Sequence, residues 1–99
     1  MFDNLRFQTT AITESMSPDF IKALWELIEE LNVEKDYLQV FEITKTSSFS
    51  WRIVHSQEEP EYKREHDYIN GQFWADFETA KIFVIDDGPV STMLFSNEY

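Results

Sequence analysis

Residues 17–32, SPDFIKALWELIEELN, carry the strongest periodic signal in the chain. Their apolar residues recur at spacings of three and four, which is the pattern of a helix with one buried face. This apolar stripe consists of Phe20, Ile21, Leu24, Trp25, Leu27, Ile28 and Leu31. Ser17 is a favourable N-cap, and Pro18 suits the first helical position. The segment therefore predicts an amphipathic helix from about Pro18 to Leu31.

The sequence on both sides of this helix predicts strands. Alternating and β-branched residues favour strands over 5–13, 36–46, 50–56, 81–86 and 90–95. Asn70-Gly71 is a hairpin dipeptide, so residues 66–69 and 72–77 are predicted to pair. Residues 57–65 surround Pro60 and are predicted to form a solvated loop. The order predicts an α+β fold: a single amphipathic helix packed on an antiparallel sheet of five or six strands.

Length and composition indicate one folded domain. The chain has 99 residues, and 16% of them are aromatic, which argues against disorder in spite of the high charge. The absence of cysteine excludes disulfides, thiolate metal sites and cysteine nucleophiles. No apolar run approaches the roughly 20 residues of a membrane-spanning helix, and no signal peptide pattern opens the sequence. We therefore expect one cytoplasmic domain spanning residues 1–99.

The net charge is −11 and is unevenly distributed. Residues 56–99 contain ten acidic residues against three basic ones, whereas residues 1–55 contain nine against five. Such a field repels nucleic acid and anionic lipid, so direct binding to either is not expected. A protein partner with a basic surface is the natural counterpart, because complementary fields accelerate encounter. The alternative is that the acidity only keeps the protein soluble.

One region combines carboxylates with large aromatic side chains. Its candidate partner-binding residues are Glu58, Glu59, Glu61, Tyr62, Glu65, Asp67, Tyr68, Trp74 and Asp76. In a strand over 72–77, Phe73 and Phe77 would point inward, and Trp74 and Asp76 would point outward. An exposed aromatic side chain surrounded by charge is typical of a protein-binding hot spot. We therefore predict a non-catalytic, acidic protein-binding module.

Two alternatives stay open. A small hydrolase or metal-dependent enzyme would use His55 and Glu58, but the stretch HSQEE lacks the spacing of a helical zinc-binding motif. Adjacent pairs such as Asp86-Asp87 lie in predicted turns, where carboxylates are ordinarily solvated. No catalytic residue, metal site or cofactor is therefore predicted. The second alternative is a structural homodimer that closes an exposed sheet edge.

Several segments resemble one family of short proteins. They are Arg6-Phe7 with Thr10, Leu24-Trp25, the block 36–42 (DYLQVFE), the block 55–62 (HSQEEPEY), and Met93-Leu94 with Glu98-Tyr99. Together they resemble the staphylococcal proteins of domain of unknown function 960, which occur in low-GC bacteria and on mobile elements. The family has no assigned activity. The resemblance implies a mobile-element or phage setting, in which an acidic protein would act as an inhibitor or DNA mimic on a basic nucleic-acid-handling partner.

A DNA mimic must project carboxylates in a row from a rigid element. Glu26, Glu29, Glu30 and Glu34 provide one such row on the predicted helix. Residues 58–67 provide a second row, although Lys63 and Arg64 interrupt it. Both rows are hypotheses about the surface that would face the partner.

Overall fold

The computed structural model describes residues 1–99. Its elements in chain order are β1 (Leu5–Gln8), α1 (Thr10–Ser15), α2 (Pro18–Glu29), β2 (Leu38–Ser47), β3 (Ser50–Gln57), β4 (Tyr62–Ile69), β5 (Thr79–Asp86) and β6 (Val90–Phe95), followed by a 3-10 turn at Ser96–Glu98. The six strands form one sheet in the order β1-β6-β5-β2-β3-β4. The predicted α+β fold, with one long helix on a sheet of six strands, is therefore confirmed.

The prediction of a purely antiparallel sheet is wrong at one edge. Strand β1 runs parallel to β6, with Leu5 opposite Val90, whereas all the other pairings are antiparallel. Antiparallel neighbours are usually joined by a tight hairpin, as β2 is to β3. No hairpin joins β1 to β6, because the chain leaves β1 through α1 and α2 and enters the sheet again at β2.

Helix α2 begins where the sequence predicts. The Ser17 hydroxyl caps it by accepting from the Phe20 backbone N–H at 3.4 Å, and Pro18 occupies the first turn. The helix ends at Glu29, which is two residues before the predicted end at Leu31. Leu31 is nevertheless buried, so the apolar stripe continues past the last helical residue.

The predicted strand over 5–13 is shorter than expected. The strand ends at Gln8, and Thr10–Ser15 form the short helix α1. The cause is local: the Thr9 hydroxyl accepts from the Ile12 backbone N–H at 3.3 Å and so caps a helical turn. Threonine side chains that bond nearby backbone groups offer the chain an alternative to a strand ladder. The turn also buries Ile12 in the core.

The predicted loop over 57–65 is mostly strand. Residues Tyr62–Ile69 form β4, which pairs along its whole length with β3, so only 58–61 make the turn. Pro60 and its neighbouring glutamates predict a loop, but Pro60 itself lies in the turn at 58–61, and the charged residues after it belong to β4, an edge strand. Charged side chains are common on such edges, because they discourage pairing with another chain.

The predicted strand over 72–77 does not form. Its backbone bonds instead to the junction between α1 and α2: Ser17 N–H donates to the Trp74 carbonyl at 2.8 Å, and Asp76 N–H donates to the Ser15 carbonyl at 3.0 Å. The Phe73 ring is buried and stacks on Phe20 at 4.7 Å between centroids. Burial of this ring against α2 therefore prevails over the hairpin that Asn70-Gly71 favours.

The remaining strands lie close to their predicted positions. Strand β6 has the predicted bounds, β3 and β5 differ by one or two residues at one end, and β2 differs at both ends. The turn between β5 and β6 places Gly88 at φ 108°, a backbone conformation that residues other than glycine rarely adopt.

The two faces of the sheet differ. Helix α2 covers one face, where it packs over a core formed mainly by alternate residues of the inner strands. This core includes Phe41, Ile43, Trp51, Ile53, Ile82, Val84 and Met93 from the sheet. No helix covers the other face, which we call the open face. Because side chains alternate along a strand, each strand contributes to both environments.

A chain of hydrogen-bonded polar groups lies within the buried face. His55 Nε2 contacts Gln39 Oε1 at 2.6 Å, and Gln39 Nε2 donates to Gln57 Oε1 at 2.7 Å. Gln57 Nε2 in turn donates to the carbonyl oxygens of Glu34 and Pro60, each at 2.8 Å. These bonds link two loops to the sheet: the connection between α2 and β2, and the turn between β3 and β4.

His55 is fully buried and stacks on Phe41 at 4.5 Å between ring centroids. Burial, with a smaller contribution from His66, lowers the pKa of His55 from 6.5 to about 4. The ring is therefore neutral at pH 7. Because Gln39 Nε2 is already a donor to Gln57, Gln39 Oε1 is left as the acceptor for an N–H on His55 Nε2.

We expect Leu24→Ala or Ile28→Ala to lower the free energy of unfolding by about 2–5 kcal/mol, because each side chain is buried between α2 and the sheet. Chemical denaturation measures this loss. Lys22→Ala, on the exposed side of the same helix, is the matched control. A loss below about 0.5 kcal/mol for both core variants would contradict the helix-on-sheet packing, because that is the range of surface sites.

We expect acidification from pH 7 to pH 5 to lower the free energy of unfolding by about 2 kcal/mol through His55, since its pKa is about 4 folded and 6.5 unfolded. The unfolded chain binds the proton first, so stability falls as pH drops through 6.5 and levels off below 4. His55→Gln keeps an N–H donor without titrating and should flatten this slope. His66→Gln, the control at a partly exposed ring, should retain most of it.

Candidate functional site

The sequence-predicted binding residues lie in separate places along β4. Glu58, Glu59 and Glu61 are exposed in the turn that precedes the strand. Trp74 and Asp76 follow its other end, and an eight-residue strand separates the two groups by roughly 26 Å. The predicted set therefore does not form one contiguous surface.

Strand alternation divides the residues of β4 itself. Tyr62 and Tyr68 lie on the side of the sheet that α2 covers. The Tyr62 ring contacts the buried His55 ring there, with 5.4 Å between the ring centroids. Glu65 and Asp67 lie on the open face, where Arg52 Nε contacts their carboxylates at 2.8 Å and 3.1 Å. These two carboxylates already share a cation, which reduces the negative charge they offer to a partner.

Tyr68 borders a groove of about 610 Å³ between α2 and β4, which we call the acidic groove. Its lining includes Asp19, Glu26, Glu29, Glu30, Tyr68 and Phe73. Lys22 is the one basic residue among the lining residues. On the other side of the helix, Arg6 pairs with Glu29 at 2.7 Å. Asp19, Glu26 and Glu30 are therefore the groove carboxylates without an ion-pair partner.

The electrostatics of the groove follow from these carboxylates. Burial raises the pKa of the Tyr68 phenol, and the charges of Glu30 and Glu26 raise it further. Tyr68 is therefore held as a neutral hydroxyl beside two carboxylates. Burial and the Arg64 charge lower the pKa of His66, whereas Glu30 opposes them. The His66 Nε2 atom is buried and has no hydrogen-bond partner within the protein.

Trp74 extends the groove region towards the start of α2. Its side chain is 52% exposed, and its backbone N–H donates to the Ser17 hydroxyl at 3.1 Å. A smaller depression of about 200 Å³ lies between Trp74 and Asp19, and Asp19 also lines the acidic groove. Tyr68, Phe73 and Trp74 thus lie beside the carboxylates of α2, a combination that the linear sequence does not display.

The sequence does not predict that α2 and β4 lie side by side and form this groove. The sequence predicts a helical row that includes Glu26 and Glu30 and predicts Tyr68 as a binding residue, but it does not show that the row and Tyr68 lie side by side. Residues four apart on a helix share a face, which is the signal that Glu26 and Glu30 act as one surface. Which strand lies opposite that face depends on the sheet order alone.

His55 and Glu58 do not line a common cavity or cleft. His55 is sealed between α2 and the sheet, whereas Glu58 is exposed beyond the end of β3. No group of three or more His, Cys, Asp or Glu side chains is positioned to hold a metal ion. None of the helices has the length and apolar character that crossing a membrane requires.

Comparison with known proteins gives a family and a fold. No protein with curated annotation matches the chain. A crystal structure described as a protein of unknown function from Enterococcus faecalis matches it with a TM-score of 0.76 and 22% identity. That match covers 98% of this chain and 92% of the other. At this level of identity the likeness supports the fold alone.

The family model described as staphylococcal protein of unknown function, DUF960, matches residues 5–98. This range includes each of the elements from β1 to β6. The resemblance seen in the sequence motifs is therefore confirmed across nearly the whole chain. The chain belongs to the DUF960 family.

Proposed function

We propose that the protein is a non-catalytic module that binds the basic surface of a protein partner through the acidic groove. The observation that carries this proposal is the meeting of Glu26 and Glu30 with Tyr68 and Phe73 across one groove of about 610 Å³. Such a groove fits extended, positively charged side chains. Lysine and arginine also have apolar stems, which suit the aromatic wall.

The two kinds of side chain have different tasks in this proposal. Carboxylates at the rim attract a basic partner over a distance and raise the association rate. Tyr68 and Trp74 supply contact area, and rigid aromatic side chains are the usual anchors of an interface. The net charge of −11 also attracts a basic partner at long range, in addition to the attraction by the groove carboxylates.

The finer proposal is that the partner handles nucleic acid and that this protein inhibits it in a mobile-element or phage setting. Duplex DNA carries one charge per roughly 1.7 Å of axis. Successive carboxylates at Glu26 and Glu30 are one helical turn apart, or about 6 Å. Because this charge density is lower than that of DNA, we favour an inhibitor that binds a few basic side chains of the partner. A continuous mimic of the duplex would need more closely spaced carboxylates.

Charge removal from the groove tests the proposal. We expect Glu26→Gln with Glu30→Gln to slow association with a basic partner captured from host lysate, and to reduce the dependence of binding on salt. Glu58→Gln with Glu59→Gln removes the same charge from the distant turn and is the matched control. Surface plasmon resonance at several salt concentrations measures both quantities. Equal behaviour of the two double variants would show that the acidity acts only through net charge or solubility.

Adjacent aromatic residues should have separable effects. Phe73 is 8% exposed and stacks on Phe20, so Phe73→Ala should cost about 3–5 kcal/mol of stability. Trp74 is 52% exposed, so Trp74→Ala should leave stability within about 1 kcal/mol. If Trp74 anchors the partner, the same variant should speed dissociation by about 30-fold, or roughly 2 kcal/mol. Unchanged dissociation would remove Trp74 from the binding surface.

A further inference from the structure

Strand β1 forms one edge of the sheet and pairs only with β6. The Thr9 N–H donates to the Met93 carbonyl at 3.1 Å, so Thr9 directs its backbone groups towards β6. Successive residues of a strand direct their N–H and C=O groups to opposite edges, and Arg6 and Gln8 therefore direct theirs outward. No backbone bond of a turn, loop or cap involves Arg6 or Gln8. The outer edge of β1 thus presents two N–H and two C=O groups without a partner.

A groove of about 440 Å³ lies between this edge and α2, and we call it the edge groove. Its apolar floor is formed by three nearly buried side chains, those of Met16, Ile21 and Trp25. The Arg6 guanidinium lies 4.8 Å from the centroid of the Trp25 ring, and Gln8 Nε2 donates to Thr13 Oγ1 at 3.2 Å. The two residues whose backbone groups face outward therefore also line the groove. Its volume is within the range of ligand pockets, about 300–1,000 Å³.

Charge does not select the occupant of the edge groove. Its lining includes two basic residues, Arg6 and Lys22, and two acidic residues, Glu26 and Glu29. Arg6 and Glu29 already form an ion pair at 2.7 Å. The groove is therefore electrically balanced, unlike the acidic groove on the other flank of α2. Its occupant is selected by the unpaired main-chain groups of β1 and by the apolar floor.

We propose that β1 binds an extended segment of another polypeptide as a further strand of the sheet, and that this segment places a large apolar side chain in the edge groove. In this mode of recognition main-chain hydrogen bonds provide affinity, and pockets for alternate side chains provide specificity. Side chains opposite Arg6 and Gln8 would lie on the groove side. Those between them would lie beside Leu5 and Phe7, which are exposed and would gain cross-strand neighbours. This inference does not depend on the proposed function.

A second copy of this chain fits the edge less well than an apolar peptide does. Antiparallel pairing of two β1 strands about a two-fold axis would place Arg6 and Gln8 of each copy against the same two residues of the other. All four side chains are polar and lie on the groove side, so the apolar floor would stay uncovered. Two molecules of charge −11 also repel each other.

The two edges of the sheet differ in their openness to a further strand. Strand β4 carries adjacent charged side chains, which oppose such pairing. Strand β1 has one charged residue, Arg6, whose guanidinium is held by Glu29. Because β1 has only four residues, it offers few main-chain bonds, and insertion into the edge groove must supply much of the affinity.

Selection from a displayed library of random linear peptides tests the proposal. At about 1 M salt the Debye length is about 3 Å, so attraction to the acidic groove is screened. We expect enriched peptides to carry large apolar residues at alternate positions, because alternate side chains of a strand share one face. One enriched peptide, synthesised with both ends capped, then serves as the probe in fluorescence anisotropy. A library that yields no peptide of this pattern would overturn the proposal.

Two variants separate the main-chain bonds from the groove. Gln8→Pro removes an outward N–H and leaves the bonds to β6, since proline is tolerated where the N–H faces solvent. It should weaken binding of the probe peptide at least about tenfold, because a hydrogen bond is lost and the ring obstructs the edge. Gln8→Ala keeps the N–H and is the matched control, with an expected change below about threefold. Equal affinity of Gln8→Pro and Gln8→Ala would overturn strand addition.

Filling the groove tests the second half of the proposal. Thr13→Trp places a large side chain in the edge groove from an exposed position of α1, and should weaken binding about tenfold or more. Glu14→Trp makes the same change at the next exposed residue, outside the groove lining, and should leave the affinity nearly unchanged. Equal affinity of these two variants would show that the peptide does not enter the groove. The melting temperature of each variant checks that it is folded.

Amide hydrogen exchange of the unmodified protein needs no variant. In the free protein the Arg6 and Gln8 amides should exchange faster than the Phe7 amide, whose N–H faces β6. Saturation with the probe peptide should slow exchange at Arg6 and Gln8 at least about tenfold, because both N–H groups become bonded. Unchanged exchange at saturation would overturn the proposal. So would slowing that appears with protein concentration alone, since a second copy would then cover the edge.

Discussion

The packing of α2 against one face of the sheet is the constraint on which the rest of the structure depends. Phe20 is its centre: the ring contacts Trp51 at 5.1 Å and Phe73 at 4.7 Å between centroids. These contacts join the helix, the inner strand β3 and the segment after β4. A small domain has one core, and here three distant parts of the chain meet at a single side chain.

The same helix provides the surface proposed for binding. Its apolar stripe faces the sheet, so Glu26 and Glu30 necessarily flank the buried side and border the acidic groove. The Phe73 ring links the core to that groove because it stacks on Phe20 and also lines the groove wall. The site is therefore built on rigid elements, and a partner would meet carboxylates and aromatic rings that the fold holds in place.

The covering of one sheet face also gives the molecule two unlike sides. The helical side has the carboxylates of α2, whereas no helix covers the open face, on which Leu5 and Phe7 are exposed. A buried chain of Gln39, His55 and Gln57 stabilises the helical side by binding the connections that flank β2 and β3. An unpaired polar group in a low-dielectric core costs free energy, so the bonds that Gln39 and Gln57 make also fix where those connections lie.

The sequence by itself determined the elements whose signals are local. The α2 stripe with its Ser17 cap, the hairpin of β2 and β3, and strands β5 and β6 follow from periodicity and turn residues within a few positions. The family resemblance carried by 36–42 and 55–62 was likewise readable from the residues alone, and the family model confirms it over residues 5–98.

Only the tertiary structure decided the features that depend on distant partners. Residues 72–77 have an alternating pattern, yet they bond to the junction at Ser17 because Phe73 gains burial against α2. Strand β4 exists because β3 supplies its ladder, in spite of a charged composition. The meeting of Glu30 with Tyr68 and the parallel β1–β6 edge both depend on strand order. Strand order is a long-range property, which local periodicity does not encode.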